Sequence, residues 1–187
     1  MNIKANVILD AKGLACPMPI VKTKKAMAQL DPGKVLELQA TDKGSTADIK
    51  AWSESTGHQY LGTIEEGLVL KHFLRKADEV KAEKNHPHVV NNEQLQSKID
   101  GKENIIVLDV RESAEFVFNH IPGARSIPLG ELEERLHELN VDDNIYVVCR
   151  TGSRSDLAAQ KLTNAGFKHV INVLPGMSEW TGSTKSN

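Results

Sequence analysis

The sequence has only two cysteines, Cys16 and Cys149, among its 187 residues. Two cysteines are too few for a zinc site built from cysteine, and a reducing compartment argues against a structural disulfide. The seven histidines are scattered, and His86-Pro87-His88 is better explained by a polar linker than by metal binding. We therefore expect neither a metal nor a disulfide, and each cysteine becomes a candidate for a reactive role.

Long apolar runs, strong net charge and cofactor motifs are also absent. No stretch approaches the roughly 18 apolar residues of a membrane span, and the N-terminal MNIKANVILDAKG lacks the apolar core of a signal peptide. The net charge of −2 does not indicate direct nucleic-acid binding. The sequence has no P-loop and no glycine fingerprint of a dinucleotide site, so no cofactor is indicated. These absences favour a cytoplasmic protein without a membrane partner.

The stretch Ile145–Arg154, IYVVCRTGSR, carries the clearest chemical signal. Its apolar residues 145–148 predict a strand buried on both faces. Cys149 ends this strand, and a helix is predicted over 155–165. Loop N–H groups, a helix N-terminus and arginine side chains all favour the thiolate form of such a cysteine, so Cys149 is predicted to be a nucleophile. The loop that would bind an anionic substrate consists of Arg150, Thr151, Gly152, Ser153 and Arg154.

The first half of the chain predicts a βαβαββ unit of about 75 residues, with two helices on a four-stranded sheet. Cys16, in the run Cys-Pro-Met-Pro, comes just before the first helix, where prolines are tolerated and the helix dipole favours a thiolate. The lysines of that helix form either a basic surface for an acidic partner or an ordinary solvated face; they are Lys22, Lys24 and Lys25. The predicted strands are 5–10, 34–40, 59–65 and 68–74, and the helices end near residues 30 and 55.

Apolar periodicity fades over residues 76–87, which predicts a linker that could contain a short helix. The second half, 88–187, alternates strands and helices, as expected for a parallel sheet with helices on both faces. Such sheets place their sites at the carboxyl ends of central strands, where Cys149 is expected to lie. The predicted helices are 92–99, 113–119, 129–136 and 155–165, and the extended segments are 105–109, 126–128, 145–148 and 170–174.

Both halves resemble known families. The run LDAKGLACPMPIVKTKKAM, residues 9–27, is similar to TusA-like sulfur carriers, including their Cys-Pro-x-Pro motif. The second half resembles a single-domain rhodanese through LDVRESAEFVFNHIPGARSIPLGEL, CRTGSR and NVLPGMSEW, which occur in this order. The resemblance implies an α/β protein: an N-terminal βαβαββ two-layer sandwich, residues 1–75, then the linker, 76–87, and a rhodanese-like parallel-sheet α/β domain, 88–187.

The resemblance also implies a sulfurtransferase of the thiosulfate sulfurtransferase type. Cys149 would take sulfane sulfur from a small anionic donor, either thiosulfate or a low-molecular-weight persulfide. A thiol, a protein or cyanide would then accept that sulfur from the Cys149 persulfide. Cys16 would be a second persulfide carrier. Asp109 and Arg111 could form an acid–base pair, but the resemblance favours a charged pair that supports the loop.

Two alternatives remain at this point. Cysteine phosphatases and arsenate reductases also use an anion-binding cysteine loop, but their pattern is Cys-x5-Arg, whereas four residues separate Cys149 from Arg154. The shorter loop favours a terminal sulfur over a tetrahedral phosphate. A rhodanese-like fold can also be a non-catalytic binding or sensing module, which the presence of Cys149 disfavours. Transfer of sulfur from Cys149 to Cys16 is a hypothesis, based on their shared chain and a flexible tether.

Overall fold

The strands of the chain belong to two separate sheets, one in each half. The computed structural model describes residues 3–78 and 84–187. The chain divides into an N-terminal unit, Met1–Glu79, and a C-terminal unit, Val80–Asn187. Within the two described ranges, no helix is long and apolar enough to cross a membrane.

The N-terminal unit is a four-stranded sheet packed against two helices. Its elements are β1 (Val7–Asp10), α1 (Met18–Gln29), β2 (Val35–Ala40), α2 (Ser45–Thr56), β3 (Gln59–Glu66) and β4 (Val69–Arg75). The strand order is β1-β2-β4-β3, with β1 and β2 parallel and the other pairs antiparallel. Leu36 and Leu38 of β2 share one core with Met27 of α1 and Ile49 of α2. The predicted βαβαββ two-layer sandwich is confirmed.

The C-terminal unit is a five-stranded parallel sheet. Its elements are β5 (Val89–Asn91), α3 (Asn92–Asp100), β6 (Ile106–Asp109), α4 (Ser113–Phe118), β7 (Arg125–Ser126), β8 (Asn144–Val148), α5 (Ser153–Asn164) and β9 (His169–Leu174). The strand order is β5-β9-β8-β6-β7, so β8 is the central strand. Val147 of β8 packs in one core with Leu162 of α5, and Val148 packs in the other with Leu95 of α3. The predicted parallel sheet with helices on both faces is confirmed.

The prediction of a helix over residues 129–136 is wrong. The segment forms two short 3-10 turns, Leu129–Glu131 and Leu136–Glu138. Its apolar spacing fits a helical face, but Leu132 and Leu139 are both buried in the core beside α5. We attribute the tighter turns to this packing, since hydrogen bonds between residues three apart are typical of short connectors.

The start of α5 and the first strand of the C-terminal unit also differ from the prediction. α5 begins at Ser153 instead of residue 155, because Gly152 adopts a φ of +94° and ends the loop there. Strand β5 was not predicted; its three residues, Val-Val-Asn, are exposed or half-buried at the sheet edge and are too few to show a strand period.

The predicted linker, 76–87, falls partly on residues 79–83, which lie outside the described residues. On either side, residues 76–78 and 84–88 contain no helix. The Ala77 N–H donates a hydrogen bond to Nδ1 of His58 at 3.1 Å, within the N-terminal unit. The N–H groups of Asn85 and His86 bind Asp156, within the C-terminal unit. Each described end of the linker is therefore hydrogen-bonded to its own unit.

A buried ion pair closes the carboxyl end of β6, next to the end of β8. Arg111 Nη2 lies 2.7 Å from Oδ2 of Asp109, and its Nε lies 3.0 Å from Oδ1. Arg111 also donates to the backbone oxygen of Asn119 at 2.6 Å. The two charged side chains are 5% and 1% exposed, so each depends on the other for its counter-charge.

Arg111→Ala should lower the free energy of unfolding of the C-terminal unit by about 3–5 kcal/mol, because it leaves the Asp109 carboxylate buried without its partner. Urea unfolding measures this loss through the fluorescence of Trp180, in a Trp52→Phe background that removes the other tryptophan. Arg125→Ala is the control: Arg125 is exposed, and its side chain donates to the backbone oxygen of Glu138 at 3.2 Å. An equally small loss in both variants would contradict a supporting role for the pair.

Candidate functional site

Cys149 lies directly after the central strand β8 and is 1% exposed. The Gly152 N–H donates a hydrogen bond to its Sγ at 3.0 Å, and the thiol donates to Oγ of Ser155 at 3.3 Å. When the sulfur is ionised, the Ser155 hydroxyl can donate in return. The N–H of Met177 donates to the Cys149 backbone oxygen at 2.8 Å. The sulfur thus accepts a backbone N–H and contacts a hydroxyl at the N-terminus of α5.

Gly152 makes this tight loop possible. Its φ of +94° lies in the left-handed region, and a Cβ at this position would overlap Cδ2 of Leu174. Asn172 Nδ2 donates to the Gly152 oxygen at 3.4 Å from beneath the loop. The Gly152 backbone is therefore held between β9 and the sulfur, with its N–H directed at Sγ.

The two loop arginines have different surroundings. Arg154 donates to both carboxylate oxygens of Glu115, at 2.7 and 3.1 Å, and the Glu115 side chain is fully buried. Its charge is therefore matched inside the protein. Arg150 is exposed and has no ion-pair partner among residues 3–78 and 84–187. Arg150 is thus an exposed loop cation whose charge no described residue matches.

The other predicted loop residues lie around the same sulfur. Thr151 is exposed and Ser153 is half-buried, and neither side chain hydrogen-bonds within the described part of the chain. Asp109 is the last residue of the neighbouring strand, β6, and Arg111, two residues further on, is paired with it.

Three further residues near the loop were not predicted from the sequence: Glu115, Ser155 and Asn172. Glu115 also accepts the Glu112 N–H in a capping box, so its sequence position indicates only a helix start. Ser155 directly follows the loop and lies in the first turn of α5. A polar side chain in the first helical turn after a cysteine loop could have been predicted to contact the sulfur. Asn172 gives a usable signal too, since a polar residue within an apolar strand needs a specific partner when buried.

The surroundings of Cys16 differ from the prediction. Cys16 is exposed, precedes α1 by two residues, and its N–H donates to Oδ2 of Asp42 at 3.3 Å. A hydrogen bond with Asp48 raises the pKa of the Cys16 thiol, and the negative charges of Asp48 and Asp42 raise it further. The thiolate predicted from the helix dipole is therefore wrong, because two carboxylates from the α2 region outweigh the dipole.

A shallow, tightly packed depression lies beside Cys16. Its walls are formed by Pro19 and Ile20 of α1 and by the polar residues Asp42, Ser45 and Asp48. Within the ranges that the structure describes, no group of three or more potential metal ligands occurs. The site is thus an exposed thiol beside carboxylates, an arrangement opposite to that of Cys149.

Comparisons with known proteins agree with this division. A family model described as "Sulfurtransferase TusA" matches residues 7–76, and one described as "Rhodanese-like domain" matches residues 91–183. "Putative sulfur carrier protein YrkF" of Bacillus subtilis is 55% identical over 185 residues, which cover 98% of this chain and 100% of that protein. The sulfur carrier protein TusA of Allochromatium vinosum is 44% identical over 68 residues, 36% of this chain and 88% of that protein.

A solved structure supports the C-terminal assignment. The rhodanese-like domain of the Anabaena protein Alr3790 aligns with a TM-score of 0.51 at 27% identity, covering 55% of this chain and 81% of that one. The chain therefore belongs to the family in which a TusA domain is fused to a rhodanese-like domain. The two domain types support a role in sulfur transfer.

Asp48→Asn should lower the pKa of the Cys16 thiol, because it removes the carboxylate that contributes most to raising it. The rate of Cys16 alkylation by iodoacetamide, followed against pH in a Cys149→Ser background, reports the thiolate fraction. The midpoint should move to lower pH in Asp48→Asn and stay in place in Glu54→Gln, which changes an exposed carboxylate farther along α2. The same midpoint in all three proteins would contradict the assignment to Asp48.

Proposed function

We propose that this protein transfers sulfane sulfur from a small anionic donor, thiosulfate or a low-molecular-weight persulfide, through a persulfide on Cys149. The observation that carries the proposal is the Gly152 N–H directed at the Cys149 sulfur at 3.0 Å. A donor group in this position stabilises a thiolate before the reaction and a persulfide anion after it. The buried position of Cys149 also limits which molecules can reach its sulfur.

With thiosulfate as donor, the first step is a displacement at sulfur. The Cys149 thiolate attacks the outer sulfur, a bond forms between Sγ and that sulfur, and the sulfur–sulfur bond of thiosulfate breaks. Its electron pair leaves with sulfite, so the total charge is unchanged. No proton has to be removed from the donor, and the sequence of two displacements is ordinary covalent catalysis.

The two loop arginines, Arg150 and Arg154, have different roles at the donor site. Arg150, which is exposed, attracts the anion and stabilises the departing sulfite through charge-assisted hydrogen bonds. Arg154, bound by Glu115, holds the first turn of α5 in place. Arg150 therefore binds the donor by contact, whereas Arg154 is a positioning residue.

Cys16 is the second persulfide carrier in this proposal. The Cys16 thiol first loses its proton to solvent, and the resulting thiolate attacks the outer sulfur of the Cys149 persulfide; the bond from that sulfur to Sγ of Cys149 breaks, and Cys149 leaves as a thiolate. The common chain raises the effective concentration of one cysteine near the other. Asp48 and Asp42 raise the pKa of the Cys16 thiol, which lowers the fraction of thiolate that is ready to attack at neutral pH.

Treatment with thiosulfate should add the mass of one sulfur atom to Cys149, and Cys149→Ser should abolish this addition. Peptide mass spectrometry without a reducing agent locates the sulfur, with Cys16→Ser as the matched control that retains the Cys149 persulfide. Phosphate release from an aryl phosphate without any persulfide would support a phosphatase instead. Absence of both reactions would indicate a binding module.

The relay between the cysteines has its own test. Sulfur-labelled thiosulfate should place label on Cys149 first and on Cys16 afterwards, and Cys149→Ser should leave Cys16 unlabelled. Label on Cys16 that appears without Cys149, or never appears in the unmodified protein, would contradict the relay.

A further inference from the structure

The segment of residues 84–86, here called the strap, is fastened to the helix that begins at the Cys149 loop. The N–H groups of Asn85 and His86 donate to the two carboxylate oxygens of Asp156, at 3.0 and 2.9 Å. The His86 ring Nε2 lies 2.7 Å from the backbone oxygen of Val170, and His86 is buried. The strap therefore has three hydrogen bonds to α5 and β9.

Asp156 is a firm anchor for the strap. It is 1% exposed and lies in the first turn of α5. Burial acts to raise the pKa of its carboxyl, but hydrogen bonds from the N–H groups of Asn85 and His86 and from Gln160 lower the pKa overall. The Asp156 carboxylate is thus ionised at neutral pH. The N–H groups of Asn85 and His86 hold it in place, and it in turn fixes the position of the strap.

This anchoring places Lys84 against the Cys149 loop. A Cβ built on Gly152 would lie 3.4 Å from Nζ of Lys84, and the Gly152 nitrogen lies 3.0 Å from the Cys149 sulfur. With the covalent bonds between these points, the ammonium is within about 10 Å of the sulfur. That distance is about one Debye length at 0.1 M salt, so the sulfur experiences the charge of Lys84.

The charged groups around the Cys149 loop include negative charges that offset part of its positive charge. Glu115 matches the charge of Arg154, and Asp156 adds a negative charge to the same helical turn. Arg150 and Lys84 are exposed, and neither has an ion-pair partner among the described residues. A doubly charged donor such as thiosulfate would thus meet two available cations, one in the loop and one in the strap.

We propose that Lys84 is a donor-binding residue of the Cys149 site, held there by the strap, and that it attracts and orients the anionic end of the sulfur donor. The inference rests on the proposed function in one respect: Cys149 must react with an anionic donor. Lys84 takes no part in bond making, so its removal weakens binding and leaves the displacement itself intact.

Lys84→Gln should raise the KM for thiosulfate about two- to fivefold, the range expected for one exposed charge, with kcat nearly unchanged. Lys84→Arg should restore the KM, because it returns the positive charge. The matched control is Lys102→Gln: Lys102 is exposed and precedes β6, at the opposite end of the parallel sheet from the Cys149 loop. An unchanged KM in Lys84→Gln, or an equal rise in Lys102→Gln, would overturn the proposal.

A second measurement does not require sulfurtransferase activity. In a Cys16→Ser background, the ratio of Cys149 alkylation rates with iodoacetate and with neutral iodoacetamide reports the local potential. This ratio should fall about two- to fivefold in Lys84→Gln and stay the same in Lys102→Gln. A ratio that falls in a protein without persulfide formation would overturn only the proposed function. An unchanged ratio would overturn the role of Lys84, whatever the activity.

Discussion

The approach of the Gly152 N–H to the sulfur of Cys149 is the constraint on which the C-terminal unit depends. The chain can return to the sulfur within three residues only because Gly152 adopts a positive φ and presents no side chain to Leu174. The same turn starts α5 immediately, so the positive end of the helix dipole points at the loop. Gly176 meets a similar restriction, since a Cβ there would overlap the Cys149 carbonyl oxygen. The segments that follow β8 and β9 are thus packed closely together next to Cys149.

The two cysteines lie in opposite electrostatic environments, although both precede a helix. Cys149 is buried and its sulfur accepts the Gly152 N–H, while Cys16 is exposed beside Asp42 and Asp48, which raise its pKa. The helix dipole contributes only partial charges, and a full carboxylate charge in contact with a thiol exceeds them. In the proposed relay, this contrast suits a cysteine that attacks a small donor and a second one that stays unreactive until a persulfide reaches it.

The features that the sequence predicted well are local. The apolar run of β8, the loop after it and the helix behind it lie within about twenty residues, where apolar periodicity is informative. The features that it missed are contacts between distant segments: Arg154 with Glu115 spans 39 residues, and the strap meets Asp156 across 70 and 71. Charge type alone could not reveal that Arg154 is matched or that Asp48 faces Cys16. The 3-10 turns at Leu129–Glu131 and Leu136–Glu138 were missed because core packing changed a helical pattern.

The strap also bears on where the functional part of the C-terminal unit begins. The rhodanese-like similarity starts at residue 91, after the strap, yet Asp156 in α5 is a buried carboxylate whose two oxygens are bound by strap N–H groups. A buried carboxylate without such donors is costly, and the N–H of His86, itself in a buried residue, needs an acceptor. The Asp156 carboxylate and the strap N–H groups therefore depend on each other. Residues that lie outside the matched range 91–183 thus bind the first turn of the helix that begins beside Cys149.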